Sequence, residues 1–200
     1  MNDEITFIHS RIQSGEPIQG ISIPIESVSV FPLVGNTLYV SNAERKGVKE
    51  LGFLAGKTKS WLIGKPEAAL DYNVDAVSQE QAESSKKVFE APFVTADREM
   101  GEEYGSVWPE WKKYARACVL KAQKKEGCSY IILFFVSYPN TTFLDQVKPV
   151  QGKELTGFLP LPYSWEEGKL VVKDNPQLRK FFKNILFKFY GEIIYNEFTK

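Results

Sequence analysis

Ile21, Ile23 and Ile25 alternate with smaller or polar neighbours, the period-two signature of a half-buried strand. The phase slips at Glu26-Ser27, after which Val28 and Val30 carry the apolar positions, so a bulge or tight bend is predicted there. Val34-Gly35-Asn36 is a turn signal, and Thr37 to Ser41 reads as the return strand of an antiparallel meander. From Ala43 to Asp75, Gly47, Gly52, Gly56, Gly64 and Pro66 cut the pattern into short pieces. Trp61-Leu62-Ile63 is the best strand among them. Residues 76–88 have helix-forming composition with little apolar content, which gives an exposed helix or an ordered loop. The acidic stretch Asp97 to Glu103 contains Gly101 and is followed by Gly105, so it is read as a loop.

The pattern sharpens after Trp108. Pro109 suits a first helical turn and Glu110 the positive end of a helix dipole. On a helical wheel Trp111, Ala115, Cys118, Val119 and Ala122 share one narrow stripe, which predicts a helix over residues 109–126 capped by Gly127. Tyr130 to Val136 is an unbroken apolar run, as expected of a strand covered on both faces and central in its sheet. Thr156 to Tyr163 is a further strand, placed at an edge by Pro160 and Pro162. Gly168 to Val172 is a short strand, and Asn175-Pro176 opens a second principal helix over residues 176–197. The sum is an α+β fold, a mostly antiparallel sheet with two principal helices packed on it, in a single domain spanning residues 1–200.

Composition agrees with a globular chain. It is 43% hydrophobic, 25% charged and 14% aromatic, so rings build much of the core or of a binding face. No apolar run approaches the roughly 20 residues of a membrane helix. The N-terminus lacks a signal pattern, and Cys118 and Cys128 read as reduced, which together imply a cytoplasmic protein without a membrane partner.

The formal net charge of zero conceals a break in the middle of the chain. Residues 66–103 hold ten acids against three bases, whereas residues 104–125 hold one acid against six bases. Those six are Lys112, Lys113, Arg116, Lys121, Lys124 and Lys125; on a helix they form a face suited to phosphate, or simply a solvated one. In the terminal helix Phe187 falls among Lys180, Lys183 and Lys188, a mixture that suits stacked bases or a protein interface. Trp165 adds a ring in the strand region.

Enzymatic motifs are weak. Gly52-Phe-Leu-Ala-Gly56-Lys57-Thr58 has three residues between its glycines where a phosphate-wrapping loop needs four. His9 is the only histidine, which excludes multi-histidine zinc sites. Glu44-Arg45-Lys46 and Glu110-Trp111-Lys112 resemble the short part of a nuclease metal motif, but neither is expected within a strand. The expectation is a non-enzymatic accessory protein that binds single-stranded nucleic acid, with no catalytic residues, metal or cofactor. The alternative is an interaction module whose C-terminal helix meets a protein partner or a second copy of the chain.

Overall fold

In a computed structural model the described residues are 4–7, 25–45, 47–62, 87–89, 92–124, 127–166, 169–172, 177–180 and 182. The strands are β1 (Glu4–Phe7), β2 (Ile25–Val34), β3 (Thr37–Arg45), β4 (Val48–Gly52), β5 (Leu54–Lys57), β6 (Ser60–Leu62), β7 (Lys87–Phe89), β8 (Ala115–Lys124), β9 (Gly127–Tyr138), β10 (Leu155–Glu166) and β11 (Lys169–Val172). The helices are α1 (Pro92–Tyr104), α2 (Trp111–Tyr114) and α3 (Thr142–Gln146). The main sheet runs β1-β8-β9-β2-β3-β10-β11, with β4 paired to β3 and β5 to β2. Every pairing in it is antiparallel except β2 with β9. The α+β class and the mostly antiparallel sheet are therefore as the sequence implied.

β9 contains the unbroken apolar run, and its position between β8 and β2 explains that composition. Ile132, Phe134 and Val136 pack on the face that holds Phe93, Met100 and Trp111. Phe135 turns to the other face, where it stacks on Phe31 with ring centroids 4.9 Å apart, and Phe31 in turn meets Phe53 and Phe182. A strand with apolar layers on both sides has no position at which a polar side chain would reach water.

Local chemistry sets the joints. The register of β2 against β9 shifts between Ile25 and Ser27, the position of the predicted phase slip. Gly35 has φ 54° in the two-residue turn that returns β2 into β3. Pro160 and Pro162 pair with β3, while the pairing of β10 with β11 begins only at Tyr163, so both prolines lie where β10 has one neighbour.

Two expectations give way. Residues 109–126 do not form a helix: α2 ends after four residues and Ala115 to Lys124 continue as β8, paired with β9 along its whole length. Alanine and lysine are good helix formers, but propensity is a weak prior, and β9 offers ten residues of backbone partners and an apolar surface; tertiary context overrides propensity. The acidic stretch read as a loop is α1. Phe93, Ala96, Met100 and Tyr104 bury one stripe, Gly101 is exposed, and Gly105 ends the helix at φ 71° with its N–H donated to the Gly101 carbonyl 3.0 Å away. Of the predicted terminal helix only residues 177–180 and 182 fall among the described residues. Among the described residues no helix is long and apolar enough to cross a membrane.

Candidate functional site

α1 lies against β5 and β2 and leaves a cleft of about 430 Å³ along its acidic side, bounded by Glu99, Glu103, Glu154, Lys57, Arg179 and the rings of Phe53 and Phe182. Glu99 and Glu103 are four residues apart and so share one face of the helix. The Glu99 carboxyl lies directly over Gly56 of β5, where a β-carbon would overlap it; glycine there leaves the carboxyl a cradle against the strand. Gly56 has no positive φ, so its role is space rather than backbone freedom.

Arg98 holds this arrangement. Its guanidinium donates to Glu99 at 2.6 Å and to Glu102 at 3.1 Å, and its other terminal nitrogen donates to the Lys57 carbonyl at 2.8 Å, tying α1 to the end of β5. Burial pushes the Glu99 carboxyl above the ordinary carboxylate range; Arg98 opposes that shift, and the neighbouring Glu102 and Glu103 add to it. Glu103 accepts the Leu155 N–H at 3.0 Å, which fixes its carboxylate beside the Glu154–Leu155 peptide. Across the cleft Glu154 accepts from Arg179 at 3.1 Å. Deeper in α1 the Tyr104 hydroxyl and Ser41 share a buried hydrogen bond of 2.7 Å, and burial drives the phenol above its usual range, so it stays neutral.

The cations expected on one helix fall on separate elements, a four-residue helix and a strand. Lys112 is exposed in α2 and pairs with Asp97, whose other oxygen accepts from the Trp111 indole at 2.8 Å. Lys113 pairs with Glu110 at 3.5 Å, and that carboxylate raises the pKa of its ammonium. Arg116, Lys121 and Lys124 occupy positions of β8, Ala115–Lys124. Trp165 lies in β10 opposite Leu170, and Lys180 is exposed beside Arg179. Lys125, Lys183, Phe187 and Lys188 lie outside the described residues, as does His9. The cleft residues Glu99, Glu103, Glu154 and Arg179 were not singled out from the sequence. The available signal was the Phe93, Ala96, Met100, Tyr104 stripe between Pro92 and Gly105, a helix with start and stop. Gly56-Lys57, dismissed as a phosphate loop, indeed sits in β5, yet it forms a wall of the cleft.

No protein-family model and no curated protein matches the chain. Among solved structures it resembles a pyrophosphohydrolase of Bacillus subtilis, with 15% identity, a TM-score of 0.46, and coverage of 90% of this chain and 82% of that one. It also resembles a MutT/nudix family protein from Enterococcus faecalis, with 9% identity, a TM-score of 0.40, and coverage of 82% of this chain and 53% of that one. The chain thus spans about half the length of the second protein. The expectation of a non-enzymatic nucleic-acid-binding protein is corrected accordingly; the interaction module offered beside it would use the C-terminal helix, most of which lies outside the described residues. The resemblances run to a pyrophosphohydrolase and a MutT/nudix protein, and the helix that was to carry the cation face is a strand. At these TM-scores the likenesses carry no mechanistic argument; the chemistry rests on the cleft.

Proposed function

We propose that this protein is a hydrolase of phosphoanhydride bonds that works in the α1–β5 cleft with a divalent cation. One observation carries the reading: Glu99 and Glu103 stand one helical turn apart on the cleft wall, with Glu99 half-buried in the Gly56 cradle. The donor set fits a hard cation. Among the described residues no three acidic, histidine or cysteine side chains form a preformed metal cage. Magnesium seldom uses one: it is held by one or two carboxylates together with substrate phosphates. Glu99 and Glu103 would hold it here. When bound, such an ion neutralises phosphate charge and activates water.

The chain's own groups do the rest. Arg98 fixes the Glu99 carboxyl by a charge-assisted hydrogen bond and anchors the helix to β5. Leu155 orients Glu103 through its backbone N–H. Lys57 and Arg179 bring positive charge to the cleft, as an anionic substrate requires.

The test is phosphate or pyrophosphate release from a panel of nucleotides and dinucleoside polyphosphates with and without magnesium. Turnover that requires the ion and drops at least about 100-fold in Glu99→Gln supports the reading. A folded wild-type protein that turns over none of the panel with magnesium or manganese defeats it.

A further inference from the structure

Arg179 reaches the cleft from a part of the chain that follows the whole sheet, and several independent contacts fix it. Its N–H donates to the Leu51 carbonyl at 2.9 Å, while the Leu51 N–H donates to the Gln177 carbonyl at 2.7 Å, so the backbone is laced to β4. Its side-chain stem passes over Gly52, where a β-carbon would press on its Cδ at 3.3 Å. The guanidinium lies 5.6 Å from the Phe182 ring centroid. It meets Glu154 at 3.1 Å and Glu50 at 3.5 Å, and its side chain is 22% exposed.

Such a guanidinium is already ordered, so an incoming ligand does not have to freeze its rotamers. Its present partners are carboxylates that are themselves partly in contact with water, with exposures of 27% for Glu154 and 37% for Glu50. A phosphate offers the same planar fork more charge and more acceptor oxygens than a carboxylate does. The opposite wall of the cleft carries Glu99 and Glu103. Carboxylates on one wall and a fixed arginine on the other would engage a phosphate chain from both sides.

We propose that Arg179 is a specificity-determining residue of the cleft: it exchanges Glu154 for a phosphate of the substrate and thereby selects polyphosphate chains. This rests on the hydrolase reading above. The sharpest consequence concerns Glu154. If the carboxylate competes with phosphate for Arg179, removing its charge should tighten anion binding.

The experiment titrates imidodiphosphate with magnesium into the wild-type protein, Arg179→Gln, Arg179→Lys and Glu154→Gln by calorimetry, with melting curves for each. The expected result is at least about tenfold weaker binding for Arg179→Gln, which is about 1.4 kcal/mol. Arg179→Lys should fall between it and wild type, because an ammonium cannot form the fork. Glu154→Gln should bind about threefold or more tightly than wild type, and this arm stands even if Arg179→Gln fails to fold. Kinetically, Arg179→Gln should raise KM with kcat within about twofold, the signature of lost binding rather than lost chemistry. Wild-type affinity in Arg179→Gln, or weakened binding in Glu154→Gln, overturns this inference and leaves the hydrolase reading standing. A wild-type protein that turns over phosphoanhydrides but binds no imidodiphosphate also overturns it alone; one that does neither overturns both.

Discussion

The Glu99 carboxyl lies 2.6 Å from the Arg98 guanidinium, which favours its ionised form, yet burial outweighs that attraction and its pKa rises. A carboxyl raised in the folded state binds its proton more firmly there than in the unfolded chain. The stability this contributes is present at low pH and is lost as pH rises through the folded pKa. At neutral pH the ionised group therefore opposes folding, and Glu99→Gln should melt about 2 °C higher than wild type. That advantage should vanish at pH values below the ordinary carboxylate range, which melting curves against pH would reveal. Activity should move the other way, with an acid limb in kcat/KM at limiting magnesium lying above the usual glutamate value, since the free carboxyl must lose its proton before it can hold a cation. Gly56 supplies a matched test. Gly56→Ala places its methyl where the end of the Glu99 side chain lies, and that flexible end must swing out of its Arg98 contact to make room. The variant should fold with a melting temperature within about 2 °C of wild type and lose roughly 100-fold in kcat, as expected when a reacting group is displaced by an ångström.

At the level of elements, the two helix errors had opposite causes. In residues 97–105 charge and two glycines obscured a stripe of apolar residues that begins at Phe93, upstream of the acidic run. In residues 115–124 a wheel could be drawn because alanine fits either period. The buried Ala115 and Ala117 flanking the half-exposed Arg116 mark alternation in retrospect, but β9 decided the outcome. Strands with their own strong signals were legible: the slip at Glu26, the turn at Gly35 and the edge marked by two prolines all fell where the residues placed them. The cleft was not legible, because it joins α1 to β5 and to Arg179, and no local pattern encodes that meeting. The C-terminus of α1 offers an element-scale test. Gly105 has φ 71° and its would-be β-carbon meets Val150 at 3.3 Å. Gly105→Ala should cost about 1–2 kcal/mol in urea unfolding, while Gly101→Ala, with open space around it, should be neutral or mildly stabilising.

Across the whole molecule, the sequence-level charge break folds back on itself. Asp97 of the acidic stretch receives both Trp111 and Lys112 of the basic one, so part of that dipole is cancelled inside the fold instead of being displayed to a partner. Stability comes instead from rings on both faces of the sheet. Phe134 is fully buried, stacked on Phe93 at 5.1 Å and edge-on to Trp111 at 5.2 Å. Phe134→Ala should lose about 3–5 kcal/mol, read as a lower urea midpoint. The parallel seam between β2 and β9 has a consequence for biogenesis. Its two halves lie far apart in sequence, with Ile25 paired to Tyr130 and Val34 to Tyr138, so a ribosome must release the chain through β9 before the first half meets its mate. Until then β2, even when paired with β3 and β5, presents Val28, Val30 and Phe31 without the β9 rings that cover them in the finished fold, and this interval is when the newborn polypeptide is most exposed to aggregation.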